Sequence, residues 1–396
     1  MNRPPKARAT ARPARLVTAL LASIGCRAPE HPAATGGAAG GGGAATPDDG
    51  GGAVDARQPP APFTIDALTK VGIGSEGSSG WATVRTASAD VDWGAGPFAQ
   101  VRLVVDLESA CYPFEKWQAD PPPTGQRWPA DCDAFDRNLS VYLDDRTDPA
   151  ATPGAARPGF EVIHAITPFG GPEHIEADLT DLGNGVRGPR RVRVDLSSNS
   201  DPQGLSTGSN AGWTVSARLE VTPGDAPRQV LAAIPLWAGR VGPGEPAPAA
   251  TWEVPATTTA GRLEYRTSGH GQGARAPRCL GAAEEFCDRQ HQIIVDGVLA
   301  KDVEAYRSDC QSLCTVAHYG PATGGLDYCQ ENPCGDMASV AAPRANWCPG
   351  STTPPFAWQD IPALAVPGPH TVSFQIAGIA AGGFWLVSAT YYAYGP

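Results

Sequence analysis

Arg191-Val192-Arg193-Val194-Asp195-Leu196 alternates charged and aliphatic residues without a break. Successive side chains of a β-strand point to opposite faces, so Val192, Val194 and Leu196 face a core while Arg191, Arg193 and Asp195 face water. Runs of the same kind recur on both sides of it, separated by Gly, Pro, Asn and Asp turns. A first set covers residues 101–107, 139–143, 160–166, 174–179, 191–196, 213–221 and 230–236. A second covers 262–267, 291–295, 370–376 and 384–392. The only hint of a helix is a turn or two over 282–287. Strand-rich halves without a helix layer imply an all-β chain of two sandwiches.

Composition divides the chain further. Arg3, Lys6, Arg8, Arg12 and Arg15 precede a short apolar run that closes on Ser23-Ile24-Gly25-Cys26. That pattern reads as an export signal over residues 1–26, with a small-residue site resembling a bacterial lipoprotein cleavage site that would lipidate Cys26. Residues 27–61 are Ala, Gly, Pro and Asp and cannot build a core, so they read as a disordered tether. Such a coil reaches roughly 30–35 Å, enough to hold a domain off a membrane. The first sandwich is expected over 62–240, a Gly/Pro/Ala connector over 241–255 and the second sandwich over 256–396. The expected location is the cell envelope through a lipid anchor, or otherwise the exterior. The net charge of −11 argues against a nucleic-acid partner.

Nine cysteines remain besides Cys26, and export favours their pairing. Spacing suggests Cys111 with Cys132, Cys279 with Cys287 and Cys310 with Cys348. Cys314, Cys329 and Cys334 are left over, an odd number. They lie in a cysteine-rich excursion over 302–348 that has little periodicity, and loops of that length commonly carry function. Cys314-x3-His318 and Cys329-x4-Cys334 have spacing compatible with a structural zinc site. An oxidising compartment more often yields a disulfide and one remaining thiol. No cofactor is expected. A copper centre is disfavoured because Met337 is the only methionine after Met1 and the histidines show no His-x-His pair.

Cys132-Asp133-Ala134-Phe135-Asp136-Arg137 is the first candidate for chemistry. A cysteine pins the segment, and Phe135 limits hydration of Asp136 while Arg137 or Arg344 tunes its charge, so the carboxylate can orient water or accept a proton. An Asp beside an Arg is also the ordinary form of a structural ion pair. Glu285, inside the short loop between Cys279 and Cys287, is the second acid. Glu284 beside it makes a plain surface role equally natural. His270 sits between Gly269 and Gly271, where close approach of a ligand or of another segment is possible.

These residues together resemble the peptide-N-glycosidase F family, bacterial amidases that cut the bond between asparagine and an N-linked glycan. The resemblance rests on Cys132-Asp133-Ala134-Phe135-Asp136-Arg137, Ala165-Ile166-Thr167-Pro168-Phe169, Gly269-His270, Glu285-Phe286-Cys287 and Arg344-Ala345-Asn346-Trp347-Cys348-Pro349-Gly350. It implies two adjacent eight-stranded jelly rolls with a site at their interface, and the three disulfides named above. It also implies Asp136 and Glu285 as catalytic acids, with Phe135, Arg137, His270, Arg344 and Trp347 contacting substrate. The implied enzyme is a hydrolase of a carbon–nitrogen bond, a monomer acting on an N-linked glycan or glycopeptide. Ser197 or Ser198 stands where the family has a third acid, and Phe135, Ser268 and Phe286 stand where it has tryptophans. These departures keep a second reading open, a non-catalytic glycan-binding or structural surface lipoprotein on the same scaffold.

Overall fold

The computed structural model describes residues 60–74, 85–111, 124, 131–145, 159–197, 212–272, 276–319 and 326–396. The expected export signal, Cys26, nearly all of the tether and Ser198 lie outside the described residues.

The strands of the first half are β1 (Phe63–Gly74), β2 (Thr86–Val91), β3 (Phe98–Ser109), β4 (Asn138–Asp145), β5 (Phe160–Ile166), β6 (Glu173–Asp178), β7 (Arg190–Leu196) and β8 (Gly212–Pro223). They form one sheet in the order β1-β8-β3-β6 and a second in the order β5-β4-β7-β2. After them come β9 (Val230–Val241), β10 (Ala249–Val254), β11 (Ala260–His270), β12 (Arg289–Val295) and β13 (Val298–Ala305). A hairpin follows, β14 (Val316–Tyr319) with β15 (Leu326–Cys329), then β16 (Ser351–Thr352), β17 (Phe356–Trp358), β18 (Gly368–Ile376) and β19 (Phe384–Tyr394). Their sheets run β9-β19-β11-β17 and β10-β18-β12-β13.

Among the described residues, and setting aside the β14–β15 hairpin and β16, each half contains eight strands. Numbered within its own half, each has the sheet orders 1-8-3-6 and 2-7-4-5. That shared order is two stacked antiparallel sheets of a jelly roll, found twice in succession. It also corrects the expected division. Val230–Val241 pairs with Phe384–Tyr394 and opens the second roll, although its pattern reads as the last strand of the first. Residues 249–254, expected as connector, form an edge strand against β18. Alternation reveals that a strand exists but not which neighbour it takes, and a Pro/Gly-rich approach hides a short edge strand.

Each roll encloses its own core. Val192, Val194 and Leu196 of the alternating stretch are buried with Leu139, Val141, Trp213 and Leu219 in the first. Tyr265, Phe374, Trp385 and Tyr391 anchor the second. The rolls also share a seam, because Tyr392 and Tyr394 of β19 reach into the first core. In addition, β16 adds to the edge of the first roll by pairing Ser351 with Ile166 and Thr352 with Ala165. A chain segment from one half thus completes a sheet of the other.

Strand β5 lies on this seam and is buried at every residue. Its register against β4 slips between Val141 and Tyr142, which pair with Ile163 and Glu161 respectively and leave Val162 as an extra residue. A bulge of this kind resets the alternation. Glu161 and His164, three apart, consequently share one face and meet the second roll.

Candidate active site at the seam

The Cys111–Cys132 disulfide ties the start of the Asp136 segment to the end of β3. Within the segment, Asp133 is fully buried and takes both arms of Arg137, with Nε at 2.7 Å and Nη2 at 2.8 Å. Asp133 also accepts the Phe135 N–H at 3.3 Å. The Arg137 guanidinium lies over the Phe135 ring, 5.5 Å from its centroid. Thr167 closes the base of the loop by accepting the Arg137 N–H and donating its own N–H to the Arg137 carbonyl. The arginine expected to serve Asp136 is therefore held first by Asp133, leaving the Asp136 carboxyl for other work.

On the second roll, the Cys279–Cys287 disulfide closes a loop that carries the single 3-10 turn Glu284–Phe286. The neighbouring acids divide the labour. Glu284 is 0% exposed and receives Arg289 Nε at 2.8 Å, Arg289 Nη2 at 3.0 Å, the Ala380 N–H at 2.8 Å and Trp385 Nε1 at 2.8 Å. With every lone-pair direction used, it fixes the turn to β12 and β19 and has no spare capacity for chemistry. Glu285 faces the other way, with its side chain 25% exposed.

Arg344 joins the halves of the site. Its Nη1 lies 3.5 Å from Glu285 Oε1, and Nη2 donates to the Ser339 carbonyl at 2.8 Å and hydroxyl at 2.9 Å. Phe286 and Trp347 hold the guanidinium between their rings, at 4.6 and 4.3 Å. Burial pushes the Asp136 carboxyl up, while Arg344 and Arg137 pull it back down; the net shift is upward. Burial likewise raises Glu285, opposed by Arg344 and reinforced by the charge of Asp136. Arg344 is itself lowered by burial, against the raising influence of Asp136 and Glu285. The Arg344 charge thus acts on carboxyls from both rolls, and the charge of Asp136 reinforces the upward shift of Glu285.

The motif 344–350 reaches this position by packing against the end of β11. Asn346 adopts a left-handed backbone with φ 65°, which asparagine tolerates, and its Nδ2 donates to the Thr267 carbonyl. Gly269 allows the approach, since a Cβ there would come within 2.6 Å of the Ala345 Cβ. Trp347 Nε1 donates to the Gly269 carbonyl at 2.8 Å.

Burial revises three of the expected contacts. Trp347 and Arg344 are each 1% exposed and His270 is 7% exposed, stacked on Trp347 at 5.4 Å between centroids. Trp347 Nε1, His270 Nε2 and Arg344 Nη2 are engaged inside the protein, so these three side chains support the site from behind. Burial holds the His270 imidazole neutral, helped by His164 and Arg344. Phe135 and Arg137 retain partial exposure.

A polar relay that the sequence reading missed crosses the seam behind them. His164 Nδ1 meets Glu161 Oε1 at 2.9 Å, and His164 Nε2 meets Ser268 Oγ at 2.6 Å. Ser268 Oγ also meets His270 Nε2 at 2.6 Å, and Ser388 donates to Glu161. Two polar residues inside an otherwise apolar seven-residue run were the signal available. Beside the relay lies a cavity of about 470 Å³ on the same seam, lined by Asn138, Ser140, Glu161 and Ser197 of the first roll and Arg240 and Phe384 of the second. Ser197 exchanges hydrogen bonds with the Asn138 backbone at its wall.

The four ligands expected for zinc do not converge. Among the described residues, Cys314 and Cys329 gather with Glu331, while His318 pairs with Asp327 at 2.7 Å and Cys334 packs against the Cys111–Cys132 bridge. The third disulfide joins Cys310 to Cys348.

Residues 246–391 match the family described as peptide-N-glycosidase F, C terminal. No curated protein matches the sequence. A crystal structure of peptide-N(4)-(N-acetyl-β-D-glucosaminyl) asparagine amidase is similar in fold, with TM-score 0.58 and 16% identity over 84% of this chain and 96% of that one. PNGase F, described as a glycosylasparaginase from Flavobacterium meningosepticum, gives 0.58 and 16% over 85% and 96%. PNGF-II gives 0.56 and 18% over 84% of this chain and 65% of its own length. The second roll thus matches the peptide-N-glycosidase F family by sequence, and most of the chain shares the fold of these solved structures.

Proposed function

We propose that the protein is an exported amidase that hydrolyses the bond between asparagine and the first N-acetylglucosamine of an N-linked glycan. What supports this reading is that Glu285 of the second roll lies 3.5 Å from the buried Arg344, whose charge also acts on Asp136 of the first roll. Amide hydrolysis adds OH to the carbonyl carbon and H to the departing nitrogen. It therefore needs one group to orient and deprotonate water and another to protonate the leaving amine. Asp136, pushed up by burial despite Arg344 and Arg137, keeps its proton to higher pH than an exposed aspartate and serves as the acid/base. Glu285, steadied by Arg344, orients the water. The products are an aspartate and a glycosylamine.

The seam cavity is of a size that suits a small ligand, and its mixture of polar groups with the Phe384 ring suits a saccharide. Phe135 and Arg137 flank Asp136 as the partly exposed contacts to substrate. Arg344, His270 and Trp347 act as positioning residues behind it. The three disulfides agree with an oxidising exterior, and a lipid anchor at Cys26 would hold the enzyme at the envelope.

The test is incubation of the protein with a short N-glycopeptide, followed by mass measurement. Conversion of the glycosylated asparagine to aspartate with release of the intact glycan supports the amidase. Glycan binding without conversion would move the protein to the alternative, a binding module on the same scaffold.

A further inference from the structure

Three cysteine pairs are bridged, and a fourth pair of thiols is left close together. The β14–β15 register places Val316 opposite Cys329, and the pairing extends outward through the Gln330 N–H to the Thr315 carbonyl at 2.9 Å. Continued by one more residue, that register sets Cys314 opposite Glu331. Cys314, Cys329 and Glu331 then share one face of the ribbon, with Cys314 diagonal to Cys329. The side chains agree, since the two sulfurs and a Glu331 carboxylate oxygen all lie within 4.8 Å of one another. Cys329 Sγ is 3.3 Å from Glu331 Oε2, which also accepts the Thr315 N–H at 2.7 Å.

We propose that Cys314 and Cys329 are the site of a fourth disulfide. Structural zinc takes four protein ligands, and this cluster offers three, one of them an exposed carboxylate already bonded to backbone. Two thiols so near each other in a protein carrying three disulfides fit oxidation better. Cys314 ends a 3-10 turn and Cys329 is the last residue of its strand, so both sit where backbone and rotamer can adjust to bonding distance.

The order of events follows from exposure. Cys314 is half-buried and Cys329 buried, and burial together with the neighbouring Cys314 and Glu331 pushes the Cys329 thiol up to about 12. Cys314 as thiolate attacks the disulfide of an external oxidant, a small-molecule or protein disulfide, and forms a mixed disulfide with it. Cys329 then displaces the second half. In sum two thiols give up two protons and two electrons, a sulfur–sulfur bond forms, and the oxidant leaves as two thiols.

Cys329 packs with Phe169 and Val340, and Phe135 joins the same cluster. Val340 follows Ser339, which holds Arg344. The cross-link therefore braces the layer beneath the Asp136–Glu285 pair, a consequence that rests on the amidase reading, whereas the disulfide itself does not.

The test uses the full chain from an oxidising compartment, alkylated without reduction and digested. No Lys or Arg lies between 308 and 343, so cleavage after Tyr319 and Glu331 is needed to separate Cys314, Cys329 and Cys334. The expected result is a three-peptide species in which the peptide carrying Cys310 and Cys314 is joined to one containing Cys348 and to one containing Cys329, lighter by four hydrogens than the sum of its parts and resolved by reductant. Alkylation of both thiols without reductant would overturn the proposal. Retention of one zinc per chain, or a linkage from either thiol to Cys334, would overturn it equally. The Cys314→Ser/Cys329→Ser variant gives a second readout, with amide exchange over 326–329 faster than in the oxidised wild type and equal to that of the reduced one; equal exchange in variant and oxidised wild type would count against the bond.

Discussion

Replacing Glu161 by Gln perturbs the relay that ties the two jelly rolls together. Burial alone would raise the Glu161 carboxyl, but His164, Ser388 and Ser140 override it and hold the group at about 2, against an ordinary 4.5. A folded pKa below the unfolded one means that ionisation favours the folded state. The contribution is fully present above about pH 4.5 and disappears as the pH falls through about 2. Held at about 2 in place of 4.5, the carboxylate contributes on the order of 3 kcal/mol. The assay is urea unfolding of wild type and Glu161→Gln over a pH series. The gap in unfolding free energy should stand near ~3 kcal/mol in neutral solution and shrink steadily below about pH 4.5. A gap of equal size at both ends of the series would mean that packing, and not the charge of Glu161, secures the seam. No gap at all would refute the role of the relay.

Glu284→Gln strands the buried Arg289 guanidinium, and such a broken pair costs about 3–5 kcal/mol, to be read as lowered thermal stability with the Asp136 segment unchanged. Arg344→Met removes the cation that pulls both Asp136 and Glu285 down, so both carboxyls rise further. The acid limb of the pH–rate profile then moves to higher pH. An unmoved limb would show that neither acid governs it.

The all-β sandwich class was legible because a half-buried antiparallel strand writes its two faces into alternate residues, as 191–196 does, whereas the jelly-roll order came only as an implication of the family resemblance. What escaped was partnership. Val230–Val241 carries a strand pattern but belongs to the second roll, because only the closed sheet order decides its neighbour. Short edge strands such as Ala249–Val254 have too few residues for a period to emerge amid Gly and Pro. At the site, the two acids and Arg344 could be named from motifs, yet their division of labour could not. Glu284 and Glu285 are adjacent and chemically alike, and only the direction of a 3-10 turn makes one a buried anchor and the other a half-open carboxylate. The relay depended on the bulge at Val162, which turns Glu161 and His164 to the same side, and simple alternation would have set them on opposite faces.

The central claim is that Asp136 and Glu285 act on one substrate as a pair. It is tested most directly by kcat/KM for glycopeptide cleavage in wild type, Asp136→Asn, Glu285→Gln and the double variant. Groups serving a single step are strongly non-additive, so the double variant should be about as slow as the slower single one. Losses that multiply independently, or singles that cleave as fast as wild type, would contradict the account.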